Sequence, residues 1–354
     1  MPLDEPEWWY GKDGGWRARL LAPAGAVYGW VAERRWRNRA PYRSRLPVIC
    51  VGNFTAGGTG KTPLALLIAR ELAAIGEKPV FLTRGYGGRM RGPHWVDPQS
   101  DTPRDVGDEP LLLVREAPTL VARDRREGAL AIERSPVPAS IIVMDDGLQN
   151  PALAKDATLA LVDGARGVGN GRVIPAGPLR APLDLQLRLA DAIVVTGDHE
   201  PGTADGGPLE RLRTSFPGPV LSAVAEPSSG AGWLTGTDVV AYAGIGNPGR
   251  FFRLVESLGG RLAASIVFAD HHPFSEADAR RLIDLAAASK ATLVTTEKDW
   301  VRLDARGGLV AQLREVSRTL AIHLVLSEHD HARLVDLLTT AARMGGYRSG
   351  VRHG

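Results

Sequence analysis

Along most of this chain, short continuous apolar runs alternate with longer stretches whose apolar positions recur every three to four residues. Pro47-Val48-Ile49-Cys50-Val51, Pro79-Val80-Phe81-Leu82-Thr83, Thr119-Leu120-Val121-Ala122, Ile141-Ile142-Val143-Met144, Thr158 to Val162 and Ala192 to Val195 are the short runs. They are rich in β-branched residues and end in Gly, Pro or charged residues, which predicts strands buried on both faces. The stretch from Leu64 to Ala69 opens a helical pattern, and the alternation as a whole predicts a parallel sheet covered by helices. His199 to Gly207 and Glu226 to Gly232 break the pattern with Gly, Pro and Ser. After Trp233 it restarts with Val239 to Ala243, a helix from Arg250, Ser265 to Phe268 and Thr292 to Thr296. The expected fold is therefore α/β: a parallel-sheet domain over residues 46–232 and a smaller α/β domain over residues 233–354.

The first 45 residues obey neither pattern. Five of the eight tryptophans lie there (Trp8, Trp9, Trp16, Trp30 and Trp36), with Tyr10 and Tyr28 beside them. The apolar segment Leu20 to Val31 is too short to span a bilayer and is interrupted by Pro23, Gly25 and Gly29. Arg34, Arg35, Arg37, Arg39, Arg43 and Arg45 follow it, the reverse of the charge order in a signal peptide. Aromatics suited to the headgroup level, then arginines suited to anionic lipid, predict a monotopic interfacial segment over residues 1–45. A core-packed helix with a solvated arginine face is the alternative. Nucleic acid is not expected, because no recognition motif accompanies the basic residues.

Composition changes this picture little. The 354 residues are 44% hydrophobic and 23% charged with a net charge of +3, values of an ordinary globular protein that name no partner. The lone cysteine, Cys50, sits inside an apolar strand, which excludes a disulfide framework.

Chemistry concentrates first in Leu46 to Thr62, LPVICVGNFTAGGTGKT. Strand, glycine turn, Gly60-Lys61-Thr62 and helix is the order a phosphate-binding P-loop requires. The small residues of Thr55, Ala56, Gly57, Gly58, Thr59 and Gly60 let successive N–H groups turn toward phosphate oxygens, and the helix start adds partial positive charge. Lys61 would reach the β- and γ-phosphates, and the Thr62 hydroxyl would ligate Mg²⁺. A strict P-loop has Gly where Thr55 stands. The related Lys-Gly-Gly-x-Gly-Lys-Thr loop has Lys where Ala56 stands, which disfavours that class of ATPase. Downstream, Ile141 to Asp146 reads as the strand whose terminal carboxylates, Asp145 and Asp146, hold Mg²⁺. Arg84-Gly85-Tyr86-Gly87-Gly88-Arg89 ends the second strand and belongs beside the P-loop, because ligands bind beyond strand C-termini.

Four further features admit two readings each. Asp108 precedes an apolar helical run and reads first as its N-cap, with a catalytic carboxylate as the alternative. Gly244-Ile245-Gly246-Asn247-Pro248-Gly249, with Asp270 about twenty residues on, has the form of a dinucleotide site, though Pro248 removes an N–H beside the pyrophosphate. That run would support an NAD-dependent oxidoreductase. His271 and His272 lie on the loop before a helix capped at Ser275; a His that orients a carboxylate base fits them better than a metal site, with loop histidines without a role as the alternative. Thr296-Glu297-Lys298-Asp299 has the wrong spacing to read guanine, so ATP is the expected nucleotide.

Taken together, VGNFTAGGTGKTP, LTRGYGGR, VGDEPLLL, VARDR, VMDDGLQNP, IPAGPLR, AYAGIGNPGRFF, FADHHPF and TTEKDWVRL resemble the tetraacyldisaccharide 4'-kinases of lipid A biosynthesis. The resemblance implies Mg²⁺-dependent transfer of the γ-phosphate of ATP to the 4'-hydroxyl of an acylated glucosamine disaccharide 1-phosphate, forming lipid IVA. It implies a P-loop domain joined to a smaller α/β domain, and a peripheral position on the cytoplasmic face of the inner membrane. It makes Asp108 the base, assisted by His271, and gives Lys61 the phosphates and Thr62, Asp145 and Asp146 the metal. Arg84, Tyr86, Arg89, Arg123, Gln149 and Arg180 become candidates for substrate contacts. It also recasts the Gly244 to Gly249 run as structural. Asn150 and Ala181 depart from the family pattern, which has His and Glu there. A membrane-attached P-loop ATPase without a small-molecule acceptor is the remaining alternative.

Overall fold

A computed structural model describes residues 5–11, 14–38, 40–57, 60–197, 208–228, 230–303 and 307–350. Gly58 and Thr59, two of the expected phosphate-binding residues, lie outside the described residues. The elements run α1 (Gly15–Arg37), β1 (Val48–Asn53), α2 (Lys61–Ala74), β2 (Pro79–Thr83), β3 (His94–Trp95), α3 (Pro103–Val106), α4 (Asp108–Leu113), β4 (Thr119–Val121), α5 (Arg125–Arg134), β5 (Ile141–Asp145) and β6 (Ala157–Asp163). They continue as α6 (Leu183–Leu189), β7 (Ala192–Thr196), α7 (Pro208–Ser215), β8 (Val220–Pro227), β9 (Asp238–Ala243), α8 (Pro248–Ser257), β10 (Arg261–Val267), α9 (Glu276–Ser289) and β11 (Thr292–Thr296). The last are α10 (Glu297–Arg302), α11 (Gly308–Val316), β12 (Ser317–Leu320), β13 (Ile322–Leu326) and α12 (Glu328–Gly350).

Nine strands form one sheet in the order β13-β8-β7-β6-β1-β5-β2-β4-β3, and four form another in the order β10-β9-β11-β12. Central pairings of the large sheet are parallel, with β3 and β13 antiparallel at its edges. Ile49 and Val51 face α2 (Leu64, Ala65, Ile68, Leu72) and Leu334 and Leu338 of α12, whereas Val48 and Cys50 face Ala129 and Ile132 of α5. Covered on both sides, β1 has no exposed position, which is why it reads as an unbroken apolar run. The expected boundary needs one correction. The sequence pattern puts residues 322–326 and 328–350 in the smaller domain, yet β13 pairs with β8, and α12 buries its leucines in the large core. An edge strand carries too little pattern to say which sheet it closes. The smaller sheet is confined to β9 through β12.

The register brings the chemistry together. Val51 of β1 lies beside Asp145 of β5, and Leu82 of β2 beside Met144. Asn53, Thr83 and Asp145 therefore end on the same edge, the ligand-binding edge of an open α/β sheet.

Candidate active site

The P-loop leaves β1 through Asn53, whose Nδ2 donates to the Thr55 carbonyl at 2.7 Å. Thr55 forms an antiparallel bridge with Leu179, and Ala56 N–H donates to the Pro178 carbonyl at 2.7 Å. Among the described residues of the loop, left-handed backbone is found later, at Gly57 (φ 100°) and Gly60 (φ 83°). This explains Thr55: the position is an extended bridge and needs no glycine. At Gly57 a Cβ would also collide with the Glu5 carboxylate, itself held by Arg166 at 2.7 Å. Gly60 precedes α2 and, among the described residues, no side chain caps the helix, a start whose N–H groups suit an anion. Lys61 Nζ lies 3.3 Å from Asn53 Oδ1 and 3.5 Å from Asp146 Oδ1, aimed along the loop.

The two acidic residues after β5 differ in state. Asp145 is buried; its Oδ2 accepts from Thr83 Oγ1 at 3.2 Å, and its Oδ1 has no partner among the described residues. Burial, then Glu109 and Asp146, push its carboxyl up to about 6. Burial would raise Asp146 too, but Lys61, Arg180 and Arg125 hold it down at about 2. Arg180 Nη1 donates to Asp146 Oδ1 at 2.7 Å while its Nε holds the Thr55 carbonyl at 3.0 Å. An orphaned carboxylate oxygen beside an ionised one is a donor pair that suits a hard cation taking few protein ligands.

The expected N-cap role of Asp108 is corrected. Gly107 caps α4, and no side chain makes a capping bond. Asp108 is instead buried, its Oδ2 2.8 Å from His271 Nδ1 and 2.6 Å from Arg302 Nε. Burial alone would raise its carboxyl, but the His271 and Arg302 contacts hold it below the usual carboxylate range. His271 adopts a left-handed φ of 58°, unusual for a side-chain-bearing residue and a form of strain found where function fixes a geometry. Its backbone N–H meets Asp270 Oδ1 at 3.0 Å, and the ring of Tyr86 lies against it at 5.6 Å. His272 is engaged elsewhere, 3.0 Å from Asp278 Oδ2 and stacked on Phe268. Among the described residues no group of three or more His, Cys, Asp or Glu could hold a metal.

The other expected contacts divide. Arg84 and Tyr86 are exposed; Arg89 pairs with Asp105 at 2.6 Å, and Arg123 Nη2 donates to the Gly88 carbonyl at 3.0 Å, shaping that loop. Gln149 spends its amide on the Asn53 carbonyl and Gln186 Oε1, a scaffold role. Asn150 caps a turn through Ala152 N–H, and Ala181 is buried with its carbonyl on Gln186. Sequence reasoning missed the roles of four residues here. Arg125, almost wholly buried, donates to the Asp145 carbonyl at 3.1 Å. Lys298 pairs with Glu109 at 2.8 Å, and Asp299 accepts from Gly244 N–H and Arg302. Their signal was positional: Lys298 and Arg302 are one turn apart on a short helix directly after a strand, and so share one face.

Comparison with known proteins identifies the family. The family model described as tetraacyldisaccharide-1-P 4'-kinase matches residues 17–342. A tetraacyldisaccharide 4'-kinase of Methylorubrum extorquens (strain PA1) is 49% identical over 304 residues, covering 86% of this chain and 90% of its own. One from Rhodopseudomonas palustris (strain HaA2) is 45% identical over 333 residues, covering 94% and 95%. The crystal structure of the Aquifex aeolicus LpxK "apo" form in complex with ATP superposes with a TM-score of 0.70 at 23% identity, covering 92% of this chain and 99% of that one, and shows a shared fold. The chain belongs to the tetraacyldisaccharide 4'-kinase family.

Proposed function

We propose that this kinase transfers the γ-phosphoryl group of ATP to the 4'-hydroxyl of a tetraacylated glucosamine disaccharide 1-phosphate, with Asp108 accepting the hydroxyl proton. The observation that carries this is the Asp108–His271 contact at 2.8 Å, made between a helix of the large sheet and a loop of the smaller one. Glu109, next in the same turn, feels the charges of Lys61 and of Asp145, so the base stands near the phosphate-binding groups. Lys61 and the first turn of α2 bind and orient the phosphates. His271, held by Asp108 through Nδ1, has its Nε2 3.9 Å from Asp270 Oδ2, beyond hydrogen-bond reach and available to substrate. Mg²⁺, held by Asp145, Asp146 and Thr62, would neutralise charge on the phosphates. Incubating the protein with radiolabelled ATP and a lipid A precursor should yield a labelled lipid, and Asp108→Asn should lower turnover roughly 100-fold or more with ATP affinity retained. Labelled lipid formed at the wild-type rate by that variant would remove Asp108 from the mechanism.

The acceptor's acyl chains make a membrane surface the natural workplace, and α1 supports one. Its inward residues are small, Ala18, Gly25 and Gly29, while Trp16, Leu20, Val27 and Trp30 are 58–70% exposed. A helix that buries alanine and glycine while exposing tryptophan and leucine inverts the usual amphipathic arrangement. Among the described residues no helix is long and apolar enough to cross a membrane. These features support a peripheral position on the cytoplasmic face of the inner membrane, with Arg34, Arg35 and Arg37 facing anionic lipid. Replacing Trp16, Leu20, Val27 and Trp30 by Gln should weaken co-sedimentation with anionic vesicles about tenfold or more, and unchanged sedimentation would refute the anchor.

A further inference from the structure

The first described residues reach the phosphate loop. Pro6 holds extended backbone (φ −65°, ψ 131°), and Glu7–Trp9 makes a single 3₁₀ turn. Trp9, only 6% exposed, fastens this turn to the loop after β6. Its Nε1 donates to the Pro175 carbonyl at 3.2 Å, and its own carbonyl accepts from Asn170 N–H at 2.7 Å. Glu5 is thereby carried to the turn after β1. Its Oε2 accepts from Arg166 Nη1 at 2.7 Å and from the Tyr10 hydroxyl at 2.9 Å. The Arg166 guanidinium also lies over the Tyr10 ring, 4.9 Å from its centre. Tyr10 keeps its proton to donate, because burial and the Glu5 charge push its titration well above the usual range. The other oxygen, Oε1, is the atom that a Cβ on Gly57 would strike first. A held carboxylate therefore lies directly against the backbone of the P-loop, in the turn that also carries Lys61 and the uncapped start of α2.

We propose that Glu5 is an internal competitor of ATP: its carboxylate rests against the phosphate loop at Gly57, and the nucleotide binds by displacing it. The inference rests on the reading of the P-loop as the ATP site. A turn of small residues before a helix start attracts anions whatever their source. An anion carried on the same chain meets that turn at high effective concentration, and Trp9, Arg166 and Tyr10 keep this one in place. Its charge also opposes a triphosphate directly, and charges in a partly buried site are screened less than charges in open water. Arg166, the cation beside the loop, is meanwhile spent on Glu5. ATP must give up that ion pair and the Tyr10 bond before it gains the loop. If the blocked form holds about nine molecules in ten, the apparent affinity for ATP lies about tenfold below that of the open loop. A Glu5 that merely fastened the N-terminal turn would leave nucleotide affinity untouched.

The test titrates the full chain with ATP and Mg²⁺, without acceptor, by calorimetry. Wild type is compared with Glu5→Gln, Tyr10→Phe, the two combined, and Lys61→Ala. Glu5→Gln removes the charge at nearly constant size, so the Kd for ATP should fall about tenfold. Tyr10→Phe keeps the ring and takes one donor from the carboxylate, so Kd should fall about threefold. In the combined variant Tyr10→Phe should add nothing to Glu5→Gln, because no carboxylate is left to hold. Unchanged or weaker ATP binding in Glu5→Gln would overturn the proposal. If the melting curve shows that this variant does not fold, unmoved affinity in Tyr10→Phe overturns it instead. Lys61→Ala separates the two ideas. Wild-type ATP affinity in that variant sinks the P-loop assignment and the competitor together, whereas lost affinity there beside an unmoved Glu5→Gln sinks the competitor alone.

Discussion

The turn after β1 and the turn after β9 share an outline: an apolar strand, a run with several glycines, then a helix. Their polar groups go to different places. At the first, Gly60 precedes α2 with no side-chain cap, and Lys61 points back along the loop toward Asn53 and Asp146. At the second, Asn247 caps α8 by accepting from Arg250 N–H at 3.2 Å, and Pro248 takes the first helical position. Gly244 is consumed as well: its N–H goes to Asp299, and its carbonyl takes Arg302 and the His271 N–H. Among the described residues the first helix start has no side-chain cap, whereas the second turn spends its donors on Asn247 and Asp299. The dinucleotide reading of Gly244 to Gly249 is disfavoured for this reason, since Asn247 occupies the Arg250 N–H and Pro248 lacks one at the start of the helix a pyrophosphate would use.

The largest effect should come from emptying the first turn. Lys61→Ala should abolish transfer, by roughly 1,000-fold or more, while thermal melting stays within a few degrees of wild type. Turnover near the wild-type rate would end the contrast between the turns. Next, Gly244→Ala should strike the second turn without touching the first. A Cβ there would lie 2.9 Å from the Ala269 carbonyl and 3.2 Å from Asp299 Oδ1, so the backbone leading to His271 must shift. We expect kcat to fall about 10- to 100-fold with ATP affinity unchanged. Weakened ATP binding there would mean that the second turn does contact nucleotide. The smallest effect belongs to Lys298→Met. It leaves Glu109 unpaired at the junction of the two sheets, where breaking a buried pair costs about 3–5 kcal/mol at most and less at a half-exposed one. The expected signature is a lower melting temperature and a modest rise in the acceptor KM; a kcat loss as deep as that of Gly244→Ala would place Lys298 among the groups that act on the base.

Much of this molecule could be read directly. Strands buried on both faces left unbroken apolar runs, so β1, β2, β4, β5, β6 and β7 were legible, as were the P-loop and the two carboxylates after β5. The order of those residues along the chain also carries the strand–turn–helix geometry that a phosphate needs. A capping role for Asp108 is misleading because a cap is a local rule, whereas its partners lie 163 and 194 residues away. The spacing of Lys298 and Arg302 marked a shared helix face, but the partners of Arg302 and Asp299, Asp108 and Gly244, are distant in sequence, so their roles were not legible. Likewise β13 joins the large sheet through an antiparallel edge pairing with β8 that no periodicity announces.

By itself, then, the sequence determined which segments are strands and helices, where the phosphate loop lies, and which residue types could do the chemistry. These depend on short-range periodicity, backbone conformation and side-chain chemistry. Only the tertiary structure decided which glycine turn has its helix capped, which distant residues meet Asp108, and which face of α1 is buried. Those depend on what packs opposite, because a hydrogen-bonding group is available to a ligand only when no distant residue has claimed it.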